Sequence, residues 1–120
     1  MELKLDKLTR DRQAMTAYND DPLVYRDKIP ARTAAETLDA IGEVAGMLHT
    51  ITLPVLIMHG TADQISDPVG SQRIYDSVGS THRNLKLYPG LWHQIFNEPE
   101  RDIVLADLAG WIGAQRDHEQ

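Results

Sequence analysis

No cysteine occurs among the 120 residues, which removes disulfides, thiolate nucleophiles and cysteine-based zinc sites together. Positive charge is sparse and scattered: 12 Lys and Arg stand against 18 Asp and Glu, a formal charge of -6. Phosphate-backbone binding needs clustered cations, so nucleic acid is not an expected partner. Long hydrophobic runs are missing too. The longest, around Leu53–Met58, is far short of the ~20 residues that cross a bilayer, so no transmembrane segment is expected. The opening MELKLDKLTRDR alternates charge with leucine and has no signal-peptide core. None of the five histidines forms an H-x-x-x-H or HExxH pair, so no metal site is expected; no cofactor is expected either. These absences together predict a soluble, cytoplasmic chain.

What is present is ordinary globular material, 42% hydrophobic and 25% charged, enough for one domain or a piece of one. Residues 1–12 are charged and weakly patterned and predict no element. A short helix is expected over 11–18, then punctuation at Asn19-Asp20-Asp21-Pro22 and a loop over 22–31 with Pro30 near its end. Thr33 with Glu36 fits a capping box. Ala34, Leu38, Ile41, Ala45 and Leu48 recur at helical spacing, which predicts a helix over 33–48, weakened by Gly42 and Gly46. Thr52–His59 is continuously apolar, with Pro54 near its start, and reads as a strand covered on both faces, as in a parallel sheet. Asp67-Pro68 predicts a capped helix to about Val78, stopped by Gly79. Asn84–Tyr88 reads as a second strand ended by Pro89-Gly90. Pro99 opens a last helix, with Glu98, Glu100 and Asp102 near its positive end. Ile103, Val104, Leu108, Trp111 and Ile112 form its apolar stripe, and Gly113–Gln120 is expected to fray. The order strand–helix–strand–helix implies a right-handed crossover and an α/β fold of two parallel strands with flanking helices.

Two loops carry the chemistry. Asp63 follows the first strand in Gly60-Thr61-Ala62-Asp63, and His93 follows the second in Pro89-Gly90-Leu91-Trp92-His93. Open α/β sheets place ligands outside the carboxyl ends of their strands. A carboxylate there accepts an imidazole N–H, fixes its tautomer and stabilises the imidazolium that forms; the imidazole takes and returns a proton near neutral pH. Spacing alone leaves the bland readings open: a loop aspartate capping a turn, and an ordinary loop histidine. Asp67 competes for the acid role but stands better placed as a helix cap. His59 ends the first strand; that place allows it to face the same pocket, and packing or a bond to backbone is the expected arrangement. His49, His82 and His118 show no paired spacing.

HGTADQISDP followed by YPGLWHQIFNEPER resembles the C-terminal third of α/β-hydrolases in the monoacylglycerol lipase (lysophospholipase-like) branch. YNDDPLVYRDKIPARTAAE resembles the stretch where those chains leave the cap and return to the core. The likeness runs from about residue 8 to 112. It implies Asp63 as triad acid, His93 as triad base, Trp92 as the aromatic beside that histidine, and a lipid-like ester substrate. It also implies an organisation into a cap-exit segment and helix over 1–50, a C-terminal βαβα part of the core over 51–116 and a tail over 117–120.

The family's nucleophile lies in a G-x-S-x-G elbow between a strand and a helix. None occurs in this sequence: Gly70-Ser71 and Gly79-Ser80 do not fit the pattern, and Ser71 falls inside a predicted helix. The resemblance therefore implies a fragment of a serine ester hydrolase that holds acid and base and is inactive alone. Two other classes stand beside it: a subunit completed by another chain, and a non-catalytic binding or assembly module. In the full fold the two strands would be the last of a larger sheet, which leaves an apolar edge along Leu53–Met58 bare. Such an edge is a template for another chain, so homo-oligomerisation through it is expected.

Overall fold

A computed structural model describes residues 5–117. Asp11 starts α1 (Arg12–Asp20): its carboxylate accepts the N–H groups of Gln13 and Ala14 at 2.8 and 3.0 Å, two of the donors that a helix start leaves unpaired. The far end is closed by Arg26, whose guanidinium donates to the carbonyls of Tyr18 and Asn19 at 2.8 Å each. α1 thus outlasts the expected 11–18 and stops at Asp21, ahead of Pro22.

α2 spans Ala31–Met47 and begins two residues before the proposed Thr33 cap. Pro30 is the cap residue, with φ -55° and ψ 140°, and its carbonyl accepts the first helical bond from Ala34. Thr33 lies inside the helix, where its carbonyl accepts the Thr37 hydroxyl at 2.7 Å. The capping box therefore does not form, and Glu36 faces Arg32 instead at 3.7 Å on the exposed surface. Proline's pre-set φ, with no N–H to satisfy, starts the helix without a side-chain acceptor. Nor does the apolar stripe of α2 bury: Leu38 and Ile41 remain 62% and 60% exposed.

β1 (Val55–Gly60) and β2 (Arg83–Tyr88) pair in parallel, Val55 opposite Arg83 through Gly60 opposite Tyr88. Thr52–Pro54 stays outside β1, since Pro54 offers no N–H to the ladder. α3 (Pro68–Ser77) connects the strands, and Asp67 caps it as expected, accepting the Val69 N–H at 2.9 Å. Alternation along a strand assigns its two faces. Odd-numbered residues face α3: His59 reaches Ser71, and Arg83 lies over the Tyr75 ring at 5.1 Å. Even-numbered residues face α4 (Arg101–Asp117): Asn84 accepts from Trp111, and Lys86 and Tyr88 both reach Asp107. A helix thus covers each face of the pair, as the continuous hydrophobicity of β1 predicts. β1 is nonetheless only half-buried except at Gly60, because β2 is its one partner among the described residues.

The core lies on the α4 side: Tyr88, Leu91, Ile95 and Val104, with Met58 against them. Of the stripe expected on α4, Val104 is buried, Leu108 and Trp111 are half-buried, and Ile103 and Ile112 are exposed. A two-stranded sheet is too narrow to cover a full helical face. The fraying expected from Gly113 does not begin there, since α4 runs to Asp117; residues 118–120, with His118, lie outside the described residues. Residues 5–11, which predict no element, form a short 3-10 turn and then a strap whose Leu8 and Thr9 are buried. No described helix is long and apolar enough to cross a membrane.

Candidate active site

The two loops at the carboxyl ends of the strands meet through backbone. Thr61 N–H donates to Tyr88 C=O at 2.9 Å and Ala62 N–H to Leu91 C=O at 3.0 Å, while the Thr61 hydroxyl accepts Gly90 N–H at 2.9 Å. Two glycines make this possible. Gly90 has φ +78°, a left-handed turn that side chains disfavour. Gly60 lies so near the second loop that a Cβ there would overlap the carbonyl oxygens of Leu91 and Trp92.

This junction brings His93 Nδ1 to 2.8 Å from Asp63 Oδ2. Asp63 is only 2% exposed at its side chain, His93 34%. The carboxylate is thus shielded, and the imidazole is partly exposed. Asp63 Oδ1 accepts the N–H groups of Ile65 and Ser66 at 2.8 and 3.0 Å. Burial pushes the carboxyl pKa up. The hydrogen bonds from Ser66, His93 and Ile65 outweigh that and hold it below the usual carboxylate range, so Asp63 is ionised at neutral pH. An ionised acceptor on Nδ1 requires His93 to carry its proton there, which leaves Nε2 as the basic nitrogen. Among the described residues no hydroxyl bonds to His93 Nε2.

His59 makes the expected bond to backbone and also faces the pocket. Besides a backbone contact to the Ser66 carbonyl at 3.1 Å, its Nε2 lies 3.0 Å from Asp63 Oδ2, and its Nδ1 lies 2.6 Å from the Ser71 hydroxyl. Asp63 therefore serves two imidazoles through one oxygen. The sequence signal was available, in a histidine on the last turnward position of β1, four residues before the acid, but nothing local says which way its ring points.

Glu98 is the second surprise. It reads as a charge favouring the start of α4, yet its side chain is fully buried. It accepts the Thr9 hydroxyl at 2.7 Å, Arg10 N–H and Arg10 Nε–H at 2.6 Å each, and Trp92 N–H at 3.1 Å. Burial pushes its pKa up, and those donors outweigh it and lower it. Glu98 thereby fastens the N-terminal strap to the residue beside His93. Gln94 N–H adds a bond to Leu8 C=O at 2.8 Å, and the Lys7 ammonium stands 5.1 Å from the Trp92 ring.

Among the described residues no group of three His, Asp or Glu side chains is arranged to hold a metal ion. A groove of about 1120 Å³ runs between α2 and α3, lined by Ile41, Val44 and Ile74 among others. Neither Asp63 nor His93 lines it. It marks a face of α2 left largely open among the described residues.

Parallel strands flanked by helices, with an acid after one strand and a histidine after the next, define an α/β-hydrolase core at its C-terminal end. The chain belongs to the family described as serine aminopeptidase, S33, whose model matches residues 1–100. It is 37% identical over 110 residues to a monoacylglycerol lipase of Mycolicibacterium smegmatis, covering 92% of this chain and 39% of that protein. A monoglyceride lipase of Mus musculus is 32% identical over 107 residues, covering 88% of this chain and 35% of the relative. Among solved structures, the monoacylglycerol lipase of Paleococcus ferrophilus superposes with a TM-score of 0.84 at 28% identity, over 91% of this chain and 42% of that one. The chain therefore spans well under half the length of these relatives.

Proposed function

We propose that Asp63 and His93 are the acid and general base of a serine ester hydrolase, whose nucleophile lies in polypeptide outside these 120 residues. The observation that carries this reading is the 2.8 Å contact from His93 Nδ1 to a buried, ionised Asp63, with the imidazole itself one-third exposed. In the reaction His93 Nε2 removes the proton of a serine hydroxyl as it attacks the ester carbonyl. Asp63 stabilises the imidazolium, which then protonates the departing alcohol; water repeats the sequence on the acyl-enzyme. The substrate is a lipid-like carboxylic ester of the monoacylglycerol type, a reading supported by relatives named for that activity at 37% and 32% identity. Residues 1–50 form the exit from the cap and 51–116 the end of the catalytic core. The protein acts in cytoplasmic lipid metabolism, and the chain by itself self-associates through the free edge of β1.

A chimera tests the assignment. This chain replaces the matched 110-residue portion of the M. smegmatis lipase, and release of glycerol from a monoacylglycerol is followed together with labelling by a fluorophosphonate. The chimera is expected to label and turn over, and His93→Ala to abolish both. Unchanged turnover in His93→Ala would remove His93 from the mechanism.

A further inference from the structure

His59 and Ser71 have no part in the acid–base pair as described, yet they form one connected array with it. Ser71 is 94% hidden from solvent inside α3, and its hydroxyl has one partner, His59 Nδ1 at 2.6 Å. On the other side of the ring, both neighbours of Nε2 are pure acceptors: the Asp63 carboxylate at 3.0 Å and the Ser66 carbonyl at 3.1 Å. Nε2 must therefore carry a proton. In the neutral ring Nδ1 is then a lone pair, and the Ser71 hydroxyl must donate to it. Every position in the sequence Ser71 O–H, His59 Nδ1, His59 Nε2–H, Asp63 Oδ2 has its direction fixed.

Asp63 then receives four donors for its four lone-pair sites: Ile65 and Ser66 N–H on Oδ1, His59 and His93 on Oδ2. Three of the four are independent of His93 and fix the plane of the carboxylate before His93 arrives. A carboxylate free to rotate would offer the imidazole a shifting acceptor and a mixture of tautomers. The geometry points to His59 as a positioning residue, held in one tautomer by Asp63 and the Ser66 carbonyl and held in place by Ser71, that aims Asp63 at His93 and so keeps His93 protonated on Nδ1. Ser71 is no second nucleophile, because a hydroxyl so deeply covered admits no acyl carbon. The catalytic consequence rests on the hydrolase reading above; the tautomer consequence does not.

The experiment has one arm for each. In the 120-residue chain, ¹⁵N–¹H spectra of the imidazoles above their titration range report which nitrogen carries the proton. Wild type is expected to show His59 as the Nε2–H form and His93 as the Nδ1–H form. Ser71→Ala is expected to leave His59 in the Nε2–H form, since Asp63 and the Ser66 carbonyl still accept there, and His59→Leu is expected to mix the tautomers of His93. His59→Gln, whose amide N–H can replace Nε2–H, is expected to restore His93. If Leu and Gln leave His93 alike, His59 only fills space and the proposal fails. In the chimera, His59→Leu is expected to lower kcat about three- to tenfold, the worth of one net hydrogen bond, with KM unchanged and with recovery in His59→Gln. A fall in KM-dependent binding alone overturns the positioning role. A fixed His93 tautomer in a chimera that never turns over overturns the hydrolase reading while upholding the array.

Discussion

Arg10 donates both its backbone N–H and its side-chain Nε–H to Glu98, each at 2.6 Å, across 88 residues of sequence. Its guanidinium also bonds Glu100. The Trp92 N–H adds a third donor to the fully buried Glu98 carboxylate, and the Thr9 hydroxyl shares its one proton between Glu98 and the Asn97 carbonyl. An acceptor-only side chain is what that site can use. Glu98→Gln places an amide N–H₂ among donors and is expected to destabilise the fold by about 2–3 kcal/mol, read from urea unfolding. Limited proteolysis near Arg10 should accelerate in the same variant, because the strap loses its anchor.

Acid should unfold the chain through Asp63 and Glu98. Both carboxyls titrate lower in the fold than in the unfolded chain, where such groups titrate near 4. Below that value the unfolded state binds more protons than the native one. The stabilisation is therefore complete above about pH 4 and is lost as the pH falls through the folded pKa values. Urea midpoints measured from pH 7 down to 3 should fall steeply in the wild type. They should start lower and fall less in Asp63→Asn and Glu98→Gln.

Asp63→Asn keeps the size of the side chain and removes its charge. An amide cannot accept from two imidazoles and two backbone N–H groups at once, and it presents a donor to one of them. In the chimera kcat should fall by about 10³–10⁴-fold, as expected when the base loses its tautomer and its counter-charge. A loss below tenfold would argue that Asp63 only shapes the loop.

Gly60→Ala tests the junction of the loops. The added methyl group meets the Leu91 and Trp92 carbonyl oxygens, so one loop must move. The expected cost is about 1–3 kcal/mol of stability, with displacement of the His93 ring resonances. Gly42→Ala, where a Cβ meets nothing within 4 Å, should be neutral or stabilising in the same assay.

The uncovered surfaces predict association. Sedimentation at micromolar concentration should give a species larger than the 13.5 kDa monomer. Glutamate at both Leu38 and Ile41, which stand on the open face of α2, should leave that species in place, because the free edge of β1 joins the copies; a shift to monomer would move the interface to α2. Stability within one chain should change by less than about 0.5 kcal/mol per site, as is usual for exposed positions.

The elements themselves were legible because their signals are local. Asp67-Pro68 caps α3 as read, the apolar run before Gly60 is a strand, and Asp63 and His93 stand in the loops expected. The Thr33 capping box failed because Pro30, nearby, starts a helix just as well without a side-chain bond. The apolar stripes of α2 and α4 are periodic in the sequence, yet Leu38, Ile41, Ile103 and Ile112 stand exposed. Periodicity shows which side of a helix is apolar and carries no information on whether a partner stands opposite it.

By itself the sequence determined two strands, the helices around them, and an acid and a histidine at strand ends, since capping, alternation and turn chemistry act over a few residues. Only the tertiary structure decided that Asp63 serves His59 as well as His93, and that Glu98 turns inward to hold the strap. Those arrangements depend on side-chain direction and on partners 30 residues apart for Asp63 and His93 and 88–89 apart for Glu98 and the strap, and neither is written in any local pattern. They follow from the requirement that a buried carboxylate find a donor for each of its lone pairs.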